Sequence, residues 1–423
     1  MSGINLIRLG TSPSGASYFI GLISGGASQV GSSLAIDSSD NMYICGSSIN
    51  NSVDNSFEVM KLTSSGAISW QRQLGNTGSG AEDYGAGIVV DSSGNTYAVG
   101  YSTTSGILYL QLTKYNSSGA IQWQVKLGNG SQDASGYSIA LDSANSFLYV
   151  AGKTASNKSF AAKYNLSGVL QWQEDLGGNP ALYGVALDSS GNVYVTGSLT
   201  GVSAQFTTIK LNSSGAIQWQ TRFGNNSSGR GITLDSSSNV FVAGEAGSSG
   251  LIGKYNSSGV LQWARQLSNG GLNAITFYSV TLDSAGNIYV CGDSDNNRVV
   301  IAKYDSAGTI SWQRQITNAT VGTQNAYSIK VNSLGNICVF GSSTGSISGP
   351  KMFLLCVLPP DGSKTGTYTV SGYSFIYAAN VLTDAAYSVT GTPTWTATAT
   401  TLTASTTTLS ESASSLTSTV TTI

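Results

Sequence analysis

The chain has 423 residues, a net charge of −2, 52 glycines and no histidine, and only 9% of its residues are charged. Ordinary soluble domains carry about 25% charged residues, so this exterior must be built largely from Ser, Thr, Asn, Gln and Gly. The lack of histidine excludes Ser-His-Asp triads, His-ligated zinc and His-ligated haem. With no Lys/Arg cluster and no apolar run long enough for a bilayer, we expect no nucleic-acid binding, membrane span, metal or cofactor.

The N-terminal stretch MSGINLIRLG has neither the basic flank nor the continuous apolar core of a secretory signal. If Met1 is the natural start, we expect synthesis in a cytoplasm and release, if any, by another route.

Two linked patterns recur along the chain. The first, typified by LDSSGNVYVTG at 187–197, has relatives 46 to 54 residues apart, starting at Asp37, Asp91, Asp142, Asp188, Asp235, Asp283 and Asn332. The second, typified by KYNSSGAIQWQVKLG at 114–128, follows the first, and its tryptophan recurs at Trp70, Trp123, Trp172, Trp219, Trp263 and Trp312.

Each repeat predicts four short strands. The aspartate caps a tight turn in which Gly or Asn accepts a positive φ, and a second turn of the type NSSG precedes the tryptophan strand. Four strands in a repeat of this length are typical of a propeller blade. We therefore predict an all-β fold over residues 1–372, a seven-bladed β-propeller of four-stranded antiparallel blades. A Ser/Thr-rich C-terminal extension follows over residues 373–423.

The ordered motifs D-S-x-G-N-x-Y-V-x-G, K-Y-N-x-S-G and W-x-x-x-L-G resemble the SBBP-type β-propeller repeat family over about residues 1–372. The resemblance implies a propeller fold, often with surface or extracellular roles, and no single activity. One strand pair is in excess, because INLIRLG and ASYFIGLISG precede the first repeat, with Phe19 near the tryptophan position. We expect an N-terminal strand or strand pair to close the ring in the last blade, displacing part of 351–372.

Six turn aspartates coexist with six third-strand lysines, and both are missing from the seventh repeat, which has Asn332 and Val357. We predict a contact within each blade for Asp37–Lys61, Asp91–Lys114, Asp142–Lys163, Asp188–Lys210, Asp235–Lys254 and Asp283–Lys303. A ring of metal sites is the disfavoured alternative, because the lysines would repel a cation. Lys330 replaces Ala or Thr in the seventh repeat, either as a relocated charge near Asn332 or as a solvated channel residue.

The turns joining strands one to two and three to four are short and uniform, and they project from one face. The other connections vary and form the opposite face, which we call the variable face. Binding sites generally lie on variable loops held by a rigid scaffold. Our candidates there are Glu82, Asp83, Tyr84, Tyr101, Asp293, Asp295 and Arg298.

These candidates have competing interpretations. Asp293 and Asp295 begin like a calcium loop, but its glycine and terminal glutamate are missing, which favours a plain acidic loop. The adjacent Glu82 and Asp83 do not form the spaced acid and base of a glycosidase. Four aromatic side chains near this face can stack on sugars, although burial between blades is favoured for most of them: Tyr84, Tyr101, Tyr183 and Tyr278.

The tryptophan series favours packing between blades over an array of sugar sites. The four cysteines lie within predicted strands, where they are interpreted as buried free thiols: Cys45, Cys291, Cys338 and Cys356.

The last 50 residues are dominated by Thr, Ser and Ala. A stripe of larger residues recurs every seven positions, at Trp395, Leu402, Leu409, Leu416 and Ile423. Spacing of seven is typical of a coiled-coil seam, whereas the poor helix formers around it also fit a strand. We predict an assembly element that binds other copies of the chain or another protein.

Taken together, the sequence favours a non-enzymatic structural or adhesion protein of an extracellular particle, best a phage virion component such as a tail fibre or spike. Its expected partners are itself or other virion proteins through the tail, and a host receptor or glycan through the propeller. The alternatives are a carbohydrate-binding propeller on a bacterial surface or secreted from it, and a glycan-degrading enzyme.

Overall fold

The computed structural model describes most of the repeat region and parts of the tail. The described residues are 3–11, 17–24, 28–50, 54–75, 82–104, 106–128, 134–154, 158–177, 181–200, 204–223, 226–268, 274–295, 297–318, 322–344, 350–370, 373–379, 382–386, 398–399, 404–406 and 411–412. Within them the regular structure is entirely β, and it forms seven antiparallel sheets. The first strands of neighbouring sheets contact one another in a closed cycle, which confirms the seven-bladed propeller.

Six blades each consist of four strands that follow one another in sequence. Blade 1 contains β3 (Ser28–Ile36), β4 (Met42–Asn50), β5 (Asp54–Leu62) and β6 (Ile68–Leu74). Blade 2 contains β7 (Asp83–Val90), β8 (Thr96–Thr104), β9 (Ile107–Tyr115) and β10 (Ile121–Leu127). Blade 3 contains β11 (Ala134–Leu141), β12 (Phe147–Thr154), β13 (Ser159–Asn165) and β14 (Leu170–Gly177).

The next three blades repeat this arrangement. Blade 4 contains β15 (Leu182–Leu187), β16 (Val193–Thr200), β17 (Ala204–Leu211) and β18 (Ile217–Phe223). Blade 5 contains β19 (Ser227–Leu234), β20 (Val240–Ala246), β21 (Ser249–Tyr255) and β22 (Leu261–Ser268). Blade 6 contains β23 (Ile275–Leu282), β24 (Ile288–Ser294), β25 (Arg298–Tyr304) and β26 (Ile310–Asn318).

Blade 7 closes the ring with strands from both ends of the repeat region. Its first three strands are β27 (Gln324–Val331), β28 (Ile337–Thr344) and β29 (Lys351–Leu358). The fourth is β2 (Ser17–Ser24), and β1 (Gly3–Thr11) adds a fifth. Phe19 pairs with Val357 across the join between β2 and β29. The expected closure by an N-terminal strand pair is therefore present.

Strands that follow blade 7 extend the outer edges of earlier blades. A hairpin of β30 (Gly366–Val370) and β31 (Tyr373–Ala379) joins β26, and β32 (Thr383–Ala386) joins β22. Shorter strands β33 (Thr398–Ala399), β34 (Ala404–Thr406) and β35 (Glu411–Ser412) join β14, β10 and β6. The described parts of this segment thus run backward around the rim, and the boundary predicted at residue 372 falls inside the hairpin.

The five stripe residues predicted to mediate assembly lie outside the described residues: Trp395, Leu402, Leu409, Leu416 and Ile423. Their role in assembly remains a prediction. The residues described between them are paired as strands, which is the alternative that the Ser/Thr-rich composition left open.

Each aspartate turn is held by hydrogen bonds that the aspartate side chain accepts. In blade 1, Asp37 Oδ1 accepts the backbone N–H groups of Ser39 and Asn41, both at 2.9 Å. Its Oδ2 accepts the Asn41 amide at 2.9 Å and the Tyr43 hydroxyl at 3.0 Å. Burial acts to raise the pKa of Asp37, but these hydrogen bonds outweigh it and hold the pKa below its usual value.

The predicted aspartate–lysine ion pairs are mostly absent. Asp188–Lys210 closes to 4.0 Å. No ion pair forms in Asp37–Lys61, Asp91–Lys114, Asp142–Lys163, Asp235–Lys254 or Asp283–Lys303, all of them described residues. In every one of these turns except that of Asp142, both carboxylate oxygens accept hydrogen bonds from nearby donors. Each lysine ammonium lies instead over an aromatic ring of the second strand. In blade 1, Lys61 Nζ is 5.1 Å from the centre of the Tyr43 ring, whose hydroxyl binds Asp37.

The tryptophans pack between blades. Trp70 Nε1 donates to the Ser117 carbonyl of blade 2 at 3.1 Å, and its ring covers Gly119. A Cβ at Gly119 would lie 2.6 Å from that ring, and φ is +82°, so only glycine fits. The same glycine contact is made by Trp123, Trp172, Trp219, Trp263 and Trp312, and at the closing seam Phe19 takes this place over Gly66.

All four cysteines are buried free thiols. Cys356 pairs in register with Val339, and Cys338 with Val357. Because successive residues of a strand point to opposite faces, Cys338 and Cys356 lie on different faces of the sheet.

Candidate ligand-binding site at the channel mouth

The first strands of all seven blades surround a central channel that contains a cavity of about 830 Å³. Each first strand begins after a variable connection and ends at an aspartate or asparagine turn. The first half of each strand therefore lies toward the variable face, and the second half lies toward the uniform face.

A β-bulge interrupts every first strand at the same place. In blade 3 the register shifts between Gly136 and Ser138, which leaves Tyr137 outside the ladder. A bulge of this kind re-aims one side chain. The seven residues so placed all line the cavity: Ser32, Ala86, Tyr137, Tyr183, Arg230, Tyr278 and Tyr327.

Five large bulge residues from consecutive blades form what we call the tyrosine wall: Tyr137, Tyr183, Arg230, Tyr278 and Tyr327. The ring centres of Tyr137 and Tyr183 are 5.4 Å apart, and those of Tyr278 and Tyr327 are 5.0 Å apart. All five side chains are partly exposed. The two small bulge residues, Ser32 and Ala86, come from adjacent blades, so the wall occupies one side of the channel and faces a more open side.

Arg230 completes the wall where a tyrosine is missing. Its guanidinium carbon is 4.4 Å from the ring centre of Tyr183 and 5.9 Å from that of Tyr278. Glu245 accepts from Nη2 at 3.0 Å and from Nε at 3.4 Å. Burial acts to lower the pKa of Arg230, but this carboxylate outweighs burial and raises it. Glu245 thereby fixes the planar guanidinium of Arg230 in the wall and neutralises its charge.

Two tyrosines predicted as candidates extend the wall. Tyr84 and Tyr101 are directly paired between β7 and β8, with ring centres 4.9 Å apart. Tyr101 lies 6.4 Å from Tyr137, and the Asn55 amide donates to the Tyr84 hydroxyl. Burial between blades, which the sequence favoured for most of Tyr84, Tyr101, Tyr183 and Tyr278, is not found, because all four side chains are partly exposed.

The adjacent acidic candidates Glu82 and Asp83 differ in their exposure. Glu82 is exposed, whereas Asp83 is 2% exposed and lies within the blade packing. Asp293 accepts the Asn325 amide, and its pKa is raised by burial. Asp293 pairs in register with Thr276, two residues before Tyr278, and Asn325 stands two residues before Tyr327, so the carboxylate lies near the wall.

The remaining candidates in this region have structural contacts. Asp295 Oδ2 accepts the backbone N–H of Ala274 at 3.0 Å and ties two variable connections together. Arg298 Nη1 donates to Gln315 at 3.3 Å on the outer part of blade 6. Of the seven candidates, Tyr84, Tyr101 and Asp293 are therefore adjacent to the wall.

Lys330 lies on the lining of the central cavity. Its side chain is exposed to this cavity, where the surrounding channel walls desolvate the ammonium and lower its pKa, an effect that the nearby Cys291 thiol partly opposes. It makes no ion pair or hydrogen bond with any described residue, Asn332 included. The structure therefore gives a channel residue, the second of the two alternatives.

Most of the wall was missed by sequence reasoning, namely Tyr137, Arg230 and Tyr327. A signal was present, because each bulge residue stands five positions before the turn Asp or, in the last repeat, Asn332. Its identity varies among Ser, Ala, Tyr and Arg, so it does not appear as a motif.

Within the described part of the chain, no cluster of three or more Cys, Asp or Glu could hold a metal ion. No helix there is long and apolar enough to cross a membrane.

Comparison with solved structures finds several matches at low sequence identity. The streptogramin B lyase structure is 12% identical, covering 84% of this chain and 98% of that chain, with a TM-score of 0.50. Sqt1 from Chaetomium thermophilum is 10% identical, covering 80% and 97%, with a TM-score of 0.48. The periplasmic gluconolactonase PpgL of Pseudomonas aeruginosa is 12% identical, covering 89% and 100%, with a TM-score of 0.42. At such identities the likeness extends no further than the fold.

At the level of sequence, no curated protein matches the chain. Two segments, residues 70–107 and 262–298, match the family model of the SBBP beta-propeller repeat. These two matches and the seven-bladed architecture support the SBBP beta-propeller repeat family for this chain.

Proposed function

We propose that the chain is a non-enzymatic adhesion protein of an extracellular particle, best a tail-fibre or spike component of a phage virion. The propeller is the exposed module that binds a host or partner surface, and the C-terminal segment attaches the protein to the particle. The observation that carries this proposal is the tyrosine wall at the channel mouth. Concave sites lined by aromatic side chains with a few fixed polar groups are the usual form of a binding site.

The strands around the wall hold it rigidly, which favours a role in recognition. The five wall residues are held by bulges in five first strands whose hydrophobic neighbours are buried between blades. Tyrosine offers a large amphipathic surface with few rotatable bonds, so little entropy is lost when it binds a ligand. Such a site is suited to attachment without chemical conversion.

Two carboxylates near the wall are already engaged by neighbouring groups. Glu245 is held by Arg230, and Asp293 by Asn325. These contacts support a positioning role for both acids in preference to proton transfer. A glycan-degrading enzyme is the competing function, and it predicts new reducing ends when the full chain is incubated with envelope polysaccharide.

The first experiment measures where the protein is and what it binds. Cultures of the encoding organism are fractionated, and mass spectrometry is used to detect the chain in sedimenting extracellular particles. Fluorescently labelled full chain is then tested for binding to intact cells and to isolated envelopes. The proposal expects particle association, envelope binding and no release of reducing ends.

The other outcomes distinguish the competing functions. Detection only on the producing cell surface, or as free secreted protein, would replace the virion with a bacterial binding propeller. Release of reducing ends would replace adhesion with glycan degradation.

A further inference from the structure

We infer that the tyrosine wall binds an uncharged oligosaccharide, which stacks its sugar faces on Tyr137, Tyr183, Tyr278 and Tyr327. This inference rests on the proposed adhesive function and specifies the ligand class of the same site. It follows from three properties of the wall: its aromatic surface, its balanced charge and its fixed hydrogen-bonding groups.

The aromatic surface matches the shape and polarity of sugar rings. A pyranose presents apolar C–H groups on its faces and hydroxyls around its rim, so it can cover an aromatic ring while its rim stays hydrogen-bonded. Neighbouring tyrosines in the wall are 5.0 and 5.4 Å apart, and Tyr101 continues the row at 6.4 Å from Tyr137. A row of partly exposed rings offers successive contacts to a chain of sugars rather than a closed pocket for one.

The charges near the wall are balanced. Three cationic side chains, those of Arg230, Lys153 and Lys330, contact the wall or share its cavity, with Lys153 Nζ 6.0 Å from the Tyr137 ring centre. Three anionic side chains, those of Glu245, Asp293 and Asp142, lie beside the wall or share its cavity. Because three positive and three negative side chains balance, the site has no net charge that would attract a uronate, a phosphorylated sugar or an amino sugar.

The aromatic faces best placed for an external cation are already occupied. Arg230 lies against Tyr183 and Tyr278 and is ion-paired with Glu245. A cationic ligand would have to displace a charge that is fixed by two hydrogen bonds, which disfavours an aromatic cage for ammonium groups.

Fixed polar groups remain for the hydroxyl rim of a sugar. No described residue accepts from Nη1 of Arg230, so that nitrogen can donate to a hydroxyl. Asp293 and the Asn325 amide hold each other in place beside Tyr278 and Tyr327, and a carboxylate accepts from several hydroxyls at once. The wall therefore combines stacking faces with both a donor and an acceptor.

The test uses the full chain on a printed panel of neutral, uronate-containing, phosphorylated and amino-sugar oligosaccharides, followed by titration calorimetry with the best neutral member. We expect binding to neutral members, with a dissociation constant that changes less than twofold between 50 and 500 mM NaCl. Tyr183→Ala and Tyr278→Ala should each weaken binding at least tenfold, whereas Tyr183→Phe, which keeps the ring, should retain most of it. Val260→Ser, at an exposed residue on the uniform face, is the matched control and should bind like the natural chain.

The outcomes separate this inference from the function on which it rests. If the panel yields only charged glycans, or if the alanine variants fold and bind neutral glycans as the natural chain does, the inference is overturned. If the alanine variants still bind intact envelopes at full strength, the inference fails while adhesion stands. If the natural chain binds no envelope at all, the proposed function itself fails.

Discussion

Asp40 of blade 1 accepts two hydrogen bonds from Ser333 of blade 7, from the backbone N–H at 2.9 Å and from the hydroxyl at 2.8 Å. Asp40 stands where other repeats have glycine, as at Gly94 and Gly191, and it adopts a φ of +60°. The contact joins the first and last blades on the uniform face. It thus reinforces the same seam that β2 closes within blade 7.

Asp40→Ala should destabilise the propeller by about 2 kcal/mol, because it removes both acceptors. It also leaves alanine at a positive φ, with no side-chain hydrogen bond to offset the backbone strain. Asp40→Asn, which keeps one acceptor and tolerates this φ, should lose about half as much or less. Denaturant unfolding of both variants measures the difference. A loss near zero in Asp40→Ala would show that the hydrogen bonds to Ser333 contribute nothing to closure.

A second prediction concerns the glycine under each tryptophan. Gly119→Ala places a Cβ 2.6 Å from the Trp70 ring, whereas Gly286→Ala has the same positive φ and nothing within 4 Å. Both variants incur about 1 kcal/mol from the left-handed backbone, and only the first forces Trp70 to move. We expect Gly119→Ala to be the less stable by about 2 kcal/mol in denaturant unfolding. Equal stabilities of the two variants would mean that the Trp70 ring moves away from the added methyl group at little energetic cost.

We expect Glu58 to make the stability of the propeller depend on pH. Its side chain is 1% exposed, and among the described residues its carboxyl accepts from Ser48 at 2.8 Å and Gln71 at 3.3 Å, both neutral. Burial raises the pKa of Glu58 to about 7 from a usual 4.5. The unfolded chain therefore releases this proton first as the pH rises, and stability should fall between about pH 4.5 and pH 7, by on the order of 2 to 3 kcal/mol.

The Glu58→Gln variant should remove this slope and be more stable than the natural chain at pH 8, since Gln71 can turn its amide to meet the new donor. Glu82→Gln alters an exposed carboxylate and serves as the control. Thermal unfolding from pH 4 to pH 8 measures all three proteins. An unchanged slope in the Glu58→Gln variant would assign the pH dependence to other groups.

The blades could be predicted from the sequence because their turns need particular residues. Asp37 must cap its turn and Gly119 must lie under Trp70, so both recur visibly in every comparable repeat. Phe19 was also recognisable, since it replaces tryptophan at the equivalent place in the seventh blade. Residues constrained by local geometry therefore carried the fold prediction.

The binding wall and the lysine contacts could not be predicted in the same way. A bulge fixes where a side chain points but not which side chain it is, so Tyr137 and Arg230 share a position without sharing a motif. The joint loss of Asp and Lys from the seventh repeat indicated that the two residues are coupled. The sequence did not show that Tyr43 lies between Asp37 and Lys61.

The outer strands depend on which sheet edges are left open, and this is a property of the assembled ring. β33, β34 and β35 pair with blade edges through only two or three residues each. Pairings this short can be exchanged for the same edges on another copy at little cost, as in domain swapping. This exchange is how we expect the C-terminal segment to mediate assembly.

A chain ending at Thr390 retains all seven blades and β30 to β32 but lacks the three exchangeable strands. We expect light scattering to give a monomer for it and a concentration-dependent larger species for the full chain, with the same circular dichroism for the propeller. If both chains are monomers at every concentration, the segment pairs only with its own blades, and attachment to a particle must involve another surface. If both form the same oligomer, the contact lies within residues 1–390, and β33, β34 and β35 are not required for it.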